Sequence, residues 1–152
     1  MAFLCVITSH PIQYMAPWFR ELAALRDFKL HVTYLREPSA QQQGVGFGQS
    51  FAWDVPLREG YTSSVLGIAE GASKLGHFLL RLSRHLRMLK PDAILITGWN
   101  EPALGLSYVV AKLIGIPVIV RGESNDLRKR NRLTRYLHRI LFRLVDAAVV
   151  IG

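Results

Sequence analysis

The chain has 152 residues, half of them hydrophobic, which suits one domain able to bury a core and excludes a disordered segment. A single cysteine, Cys5, excludes an internal disulfide, and no Cys/His cluster has metal-ligand spacing, so Cys5 reads as a small apolar core residue in a reducing compartment. The formal charge of +8 is lopsided, with six Lys/Arg against six Asp/Glu in residues 1–76 and thirteen against five in residues 77–152, which points to an anionic partner on one side of the domain.

Ala2 to Thr8 is an apolar run fit for a strand covered on both faces, and it breaks into a polar turn at Ser9 to Gln13. The start has neither the basic n-region nor the small-residue cleavage site of a secretory signal. Helical spacing then predicts a helix over about Tyr14 to Leu25 that buries Trp18, Leu22 and Leu25. A second strand is expected from Lys29 to Leu35. Residues 36–50 have no periodicity and many glycines, and Gly46-Phe47-Gly48 is expected to form a flexible flap. The glycines do not lead into a helix, as a dinucleotide cradle requires, because the strand-like Phe51 to Leu57 follows. Tyr61 to Leu66 adds a short extended piece.

A helix is expected over Ser73 to Leu89, with Leu75, Phe78, Leu79, Leu82, Leu86 and Leu89 inward and Arg81, Arg84, Arg87 and Lys90 outward. Ala93 to Thr97 is a buried strand ending in Gly98-Trp99-Asn100-Glu101. The apolar stretch from Ala103 to Val120 is not a membrane span, because Lys112, Gly115 and Pro117 divide it into a helix to Ile114 and a strand from Pro117. That strand ends in Arg121-Gly122-Glu123-Ser124-Asn125, where Gly122 is expected to permit a sharp bend. A last helix covers about Asn131 to Val145, and Ala147 to Ile151 forms the last strand. The succession predicts an α/β, Rossmann-like parallel sheet with helices on both faces.

In such a sheet the turns after the strands emerge on one edge, where ligands bind. Three polar turns therefore converge: Ser9, His10, Gln13 and Tyr14; Trp99, Asn100 and Glu101; and Arg121 to Asn125. His10 has the chemistry of a proton shuttle near neutral pH, though the sequence identifies no carboxylate partner for it. Trp99 beside Asn100 and Glu101 suits a sugar, as an apolar ring next to hydroxyl-binding groups; it also suits simple packing under a loop. Arg121 offers a forked donor, and Glu123 and Asn125 bind hydroxyls or cap a helix equally well. On the last helix Arg128, Arg132, Arg135, Arg139 and Arg143 fall within an arc of about 80°, opposite Leu133, Leu137, Ile140, Leu141 and Leu144. Such a ladder is a solvated face or a docking face for anionic lipid. Aromatic residues do not interleave with the arginines, so no nucleic-acid partner is expected.

The blocks Thr8-Ser-His-Pro-Ile-Gln-Tyr14, Pro17-Trp-Phe-Arg-Glu-Leu22, Gly46-Phe-Gly48 to Leu57, Gly98-Trp99, Arg121-Gly-Glu-Ser-Asn125 and Asp146 to Gly152 resemble the amino-terminal domain of a family-4-type glycosyltransferase of the GT-B fold. The resemblance implies a single acceptor-side domain over residues 1–152, a donor-binding second domain beyond it, and an enzyme that moves a sugar from a nucleotide sugar to a sugar or lipid-linked acceptor. It implies no metal or other cofactor, a place in polysaccharide or glycolipid synthesis, and a cytoplasmic protein peripheral to the inner membrane face. Trp99, Asn100, Glu101 and Arg121, Gly122, Glu123, Ser124, Asn125 would then meet the acceptor, while Ser9, His10, Gln13 and Tyr14 face the donor. The Gly-Gly turn and the histidine after the fourth strand, both common in this superfamily, are replaced here, so no catalytic residue is assigned and the isolated half is expected to be inactive. A nucleotide-sugar epimerase of the same architecture and a non-catalytic membrane-surface domain are the competing readings.

Overall fold

The computed structural model describes residues 1–37, 56–67, 75–99, 101–122 and 131–150. Among the described residues there are six strands and four helices, in the order β1 (Ala2–Thr8), α1 (Met15–Ala24), β2 (Phe28–Tyr34), β3 (Thr62–Val65), α2 (Leu75–Leu89), β4 (Ala93–Thr97), α3 (Pro102–Leu113), β5 (Val118–Gly122), α4 (Arg132–Phe142) and β6 (Ala147–Val150). All pairings are parallel, and the strand order is β3-β2-β1-β4-β5-β6. The order reverses between β1 and β4, which makes that junction the switch point of a Rossmann-like sheet.

Strand alternation sorts the core into two layers. Val6, Leu30, Val32, Tyr34 and Leu95 pack with Met15 and Phe19 of α1 on one face. Cys5, Ile7, Ile94, Ile96, Val118 and Val120 pack on the other with Phe78, Leu82 and Leu86 of α2 and Leu104 and Tyr108 of α3. Helices therefore cover both faces. Cys5 is fully buried, and burial pushes its thiol up to about 11, so it packs and does not attack. Asp92 and Asp146 tie the opposite, amino-terminal edge in the same way. The Asp92 carboxylate accepts the Phe3 N–H at 2.7 Å while its own N–H donates to the Phe3 carbonyl at 2.9 Å. Asp146 does this to Val118 at 2.7 and 2.8 Å and also accepts Lys112 Nζ.

The stretch from 103 to 120 divides as expected. Gly115, with φ 77°, ends α3; its N–H bonds the Lys112 carbonyl while Ile116 N–H returns to that of Ala111, which satisfies two carbonyls left over by the helix. No helix among the described residues is long and apolar enough to cross a membrane.

Four expectations change. Helix α1 buries Met15, Ala16 and Phe19, whereas Trp18 and Leu22 are only partly covered and Leu25 is half-exposed, because the helix ends at Ala24 and the chain has turned extended at Leu25. Leu75, at the first position of α2, is likewise half-exposed. Gly122 is not a bend; it is the last residue of β5, paired with Val150. In α4, Leu141 and, just past its end, Leu144 reach the core, but Leu133, Leu137 and Ile140 face outward. Gly46 to Gly48, the strand-like stretch from Phe51 as far as residue 55, Asn100, Glu123, Ser124, Asn125 and Arg128 lie outside the described residues.

Candidate functional site

The carboxyl edge of the sheet carries the described residues of the turns that the sequence marked. Past the end of β1 the ladder with β2 continues, since Leu35 N–H donates to the Thr8 carbonyl and Arg36 N–H to the Ser9 carbonyl, each at 2.9 Å. Arg36 is thereby held beside Ser9 and His10. Its guanidinium then spans to the head of α3 and grips both oxygens of Glu101, at 2.9 and 3.0 Å. Glu101 is the residue before Pro102 at the start of α3; its side chain makes no capping bond to the helix and turns to Arg36 instead. Residues from β1, β2 and the β4–α3 turn so meet at the switch point.

His10 sits within this group. Its Nδ1 hydrogen-bonds Ser9 Oγ at 2.9 Å, and Ser9 is itself buried. Burial lowers the imidazole below its ordinary value, the Arg36 charge lowers it further, and Glu101 pulls part of that back. A histidine held neutral at pH 7 and anchored through one nitrogen can take up or release a proton at the other. Gln13 and Tyr14, at the start of α1, are exposed at the same edge.

Trp99 and Arg121 take different surroundings. Gly98, with φ 104°, turns the chain out of β4, and Tyr108 Oη donates to its carbonyl at 3.0 Å. Trp99 follows and packs edge-on against Phe142 and His138 of α4, with ring centroids 5.0 and 6.1 Å away. Its Nε1 is buried without a hydrogen-bond partner among the described residues. A Cβ on Gly122 would lie 2.3 Å from Trp99 Cζ3, so glycine is required there for close approach. Arg121 lies on the other face of β5, stacked over Trp18 at 4.7 Å and with Nη1 3.2 Å from Met15 Sδ. Trp99 and Arg121 thus join the edge to α4 and α1 respectively.

Arg36 was not singled out from the sequence. It is the second residue after β2, so the rule that selected Ser9 and Arg121 selects it too; the glycine-rich, aperiodic stretch that it begins obscured it. Among the described residues no group of three or more His, Cys, Asp or Glu could hold a metal ion.

No protein-family model and no curated protein matches the chain. Solved structures do. It is similar to UDP-N-acetylglucosamine 2-epimerase from Rickettsia bellii, with a TM-score of 0.64 and 16% identity over 100% of this chain and 39% of that one. MurG from Acinetobacter baumannii gives a TM-score of 0.59 and 13% identity over 99% of this chain and 41% of that one. UDP-GlcNAc 2-epimerase from Neisseria meningitidis, bound to UDP-GlcNAc, gives 0.59 and 20% over 95% and 39%. The shared feature is the fold, that of one Rossmann-like half of a GT-B architecture, and the chain spans about two fifths of these proteins.

Proposed function

We propose that the chain is the acceptor-side half of a nucleotide-sugar-dependent glycosyltransferase in polysaccharide or glycolipid synthesis, working with a donor-binding half and inactive without it. The observation that carries this reading is the Ser9–His10, Arg36 and Glu101 group at the switch point, where open α/β sheets bind ligands. In the proposal His10 exchanges a proton with the acceptor hydroxyl or the sugar, Tyr14 and Gln13 face the donor across the gap between halves, and the Arg36–Glu101 pair fixes the geometry around His10. The nucleotide sugar is a cosubstrate held mainly by the other half, and no resident cofactor is invoked.

The test is sugar transfer by the protein that combines this half with a donor-binding half. His10→Ala is expected to lower kcat about a hundredfold, the usual loss for a general acid or base. Transfer undiminished in His10→Ala, or nucleotide-sugar binding as tight to residues 1–152 alone as to the combined protein, contradicts the reading. The alternative is an epimerase, favoured by the neighbours from Rickettsia bellii and Neisseria meningitidis. Turnover of UDP-GlcNAc to its 2-epimer with no acceptor present decides for that.

A further inference from the structure

The Arg36–Glu101 pair has an unusual setting for a purely structural bridge. It lies at the switch point beside His10, and its side chains stay 33% and 31% exposed. An ion pair so open to solvent holds its partners weakly, because water competes for both. Glu101 also has a second station close by. It stands at the N-cap of α3, yet its side chain makes no capping bond, and the positive amino end of a helix favours a carboxylate about as well as an exposed ion pair does. The carboxylate can therefore leave the guanidinium at little cost.

Arg36 then offers two parallel donors, Nη1 and Nη2, already set to grip a planar two-oxygen group at 2.9 and 3.0 Å. Its backbone is fixed, since Arg36 N–H donates to the Ser9 carbonyl at 2.9 Å. The neighbouring His10 is tied to Ser9 through Nδ1, which leaves Nε2 for proton exchange. Arg36 and Glu101 are the charges that act on His10, so one cation faces one anion there. A singly charged carboxylate can replace Glu101 with that balance kept, whereas a phosphate group brings surplus negative charge.

We propose that Arg36 is the receptor for a carboxylate on the acceptor, and that the acceptor is an acidic sugar of the uronic acid kind. Its carboxylate displaces Glu101 from Arg36 and brings a neighbouring hydroxyl to His10; Glu101 is the resident mimic of that group. The proposal rests on the acceptor-side reading of the chain.

The test is NMR titration of residues 1–152 with glucuronic acid, its uncharged methyl ester and inorganic phosphate. The acid is expected to bind about tenfold more tightly than the ester, the usual gain from hydrogen bonds to a charged partner, and Arg36→Met should abolish the difference. Glu101→Gln keeps the size of the side chain and removes the competing charge, so it should tighten binding of the acid about threefold and leave the ester unchanged. A merely structural bridge gives the opposite sign, because breaking it loosens the site for both ligands. Four results would each overturn the proposal: no binding of the acid, equal affinity for acid and ester, weaker binding of the acid by Glu101→Gln, or phosphate bound more tightly than the acid. Transfer by the combined protein to glucoside and glucuronoside acceptors separates the two readings. Equal transfer to both, insensitive to Arg36→Met, removes the carboxylate receptor and leaves the glycosyltransferase. Arg36-dependent binding of glucuronic acid together with epimerisation of UDP-GlcNAc in place of transfer removes the glycosyltransferase and leaves the receptor.

Discussion

His10 is governed by three influences that do not agree in sign: burial and the Arg36 guanidinium both disfavour its charged form, and Glu101 favours it. Because Arg36 and Glu101 are joined to each other, the pair is close to neutral when seen from the imidazole, and removing either partner uncovers the other. Arg36→Met should therefore raise the His10 pKa, since a depressing charge is lost and a carboxylate is left unpaired. Glu101→Gln should lower it. An imidazole proton titration by NMR reads both, and shifts in the same direction would show that the two residues do not act on His10 through charge. Gly122 raises a purely steric question. A methyl there would sit 2.3 and 2.5 Å from two carbons of a rigid indole that is wedged against Phe142. Overpacking of this kind costs about 1–3 kcal/mol. Gly122→Ala should lower the urea midpoint accordingly, and adding Trp99→Leu should recover part of the loss; additive penalties would mean that the two positions do not touch.

At the level of elements, β2, β3 and α2 are joined by more than apolar packing. His31 Nε2 bonds Ser64 Oγ and His85 Nε2 bonds Thr33 Oγ1, each at 2.9 Å, while the two imidazoles lie 6.0 Å apart. Burial lowers both histidines below their ordinary value, and His85 is lowered further by the charge of His31. Well above pH 6.5 both are neutral whether folded or not, and there they contribute no pH dependence. As pH falls below 6.5 the unfolded chain takes up protons that the folded chain resists, so stability declines until the folded pKa values are passed. The urea midpoint is expected to fall between pH 7 and pH 5, and less steeply in His85→Gln; an unchanged slope in that variant would remove His85 from the account. Such a pairing of β2 with α2 could not be read from the sequence, since it joins residues 52 positions apart. What was legible followed from local rules. The runs Ala2 to Thr8 and Ala93 to Thr97 gave their strands because continuous apolar stretches have no other use in a parallel sheet, and Gly115 before Pro117 gave the end of α3. The polar turns at Ser9 and Gly98 were found because position after a strand marks them regardless of identity. Contacts were not legible: Glu101 turning to Arg36, Trp99 turning to α4 and Arg121 turning to Trp18 are each decided by which helix packs beside the turn.

Across the whole molecule, stability should be graded along the sheet. Strands β1 and β4 lie at its centre, with core residues of 0% exposure on both, such as Val6, Ile7, Ile94 and Ile96. Strand β6 lies at one edge and is exposed throughout, and α4 beside it buries no residue. Opening α4 and β6 therefore exposes little new apolar surface, and it breaks the Trp99 packing and the Asp146 tie without disturbing the core between α1 and α2. Amides of β1 and β4 are expected to exchange only through global unfolding, about 5–15 kcal/mol for a domain of this kind, whereas those of α4 should exchange through local openings of about 0–3 kcal/mol. Hydrogen exchange followed by mass spectrometry separates these classes. Uniform protection across the free protein would mean that α4 is held by contacts beyond Trp99 and the core-facing Leu141.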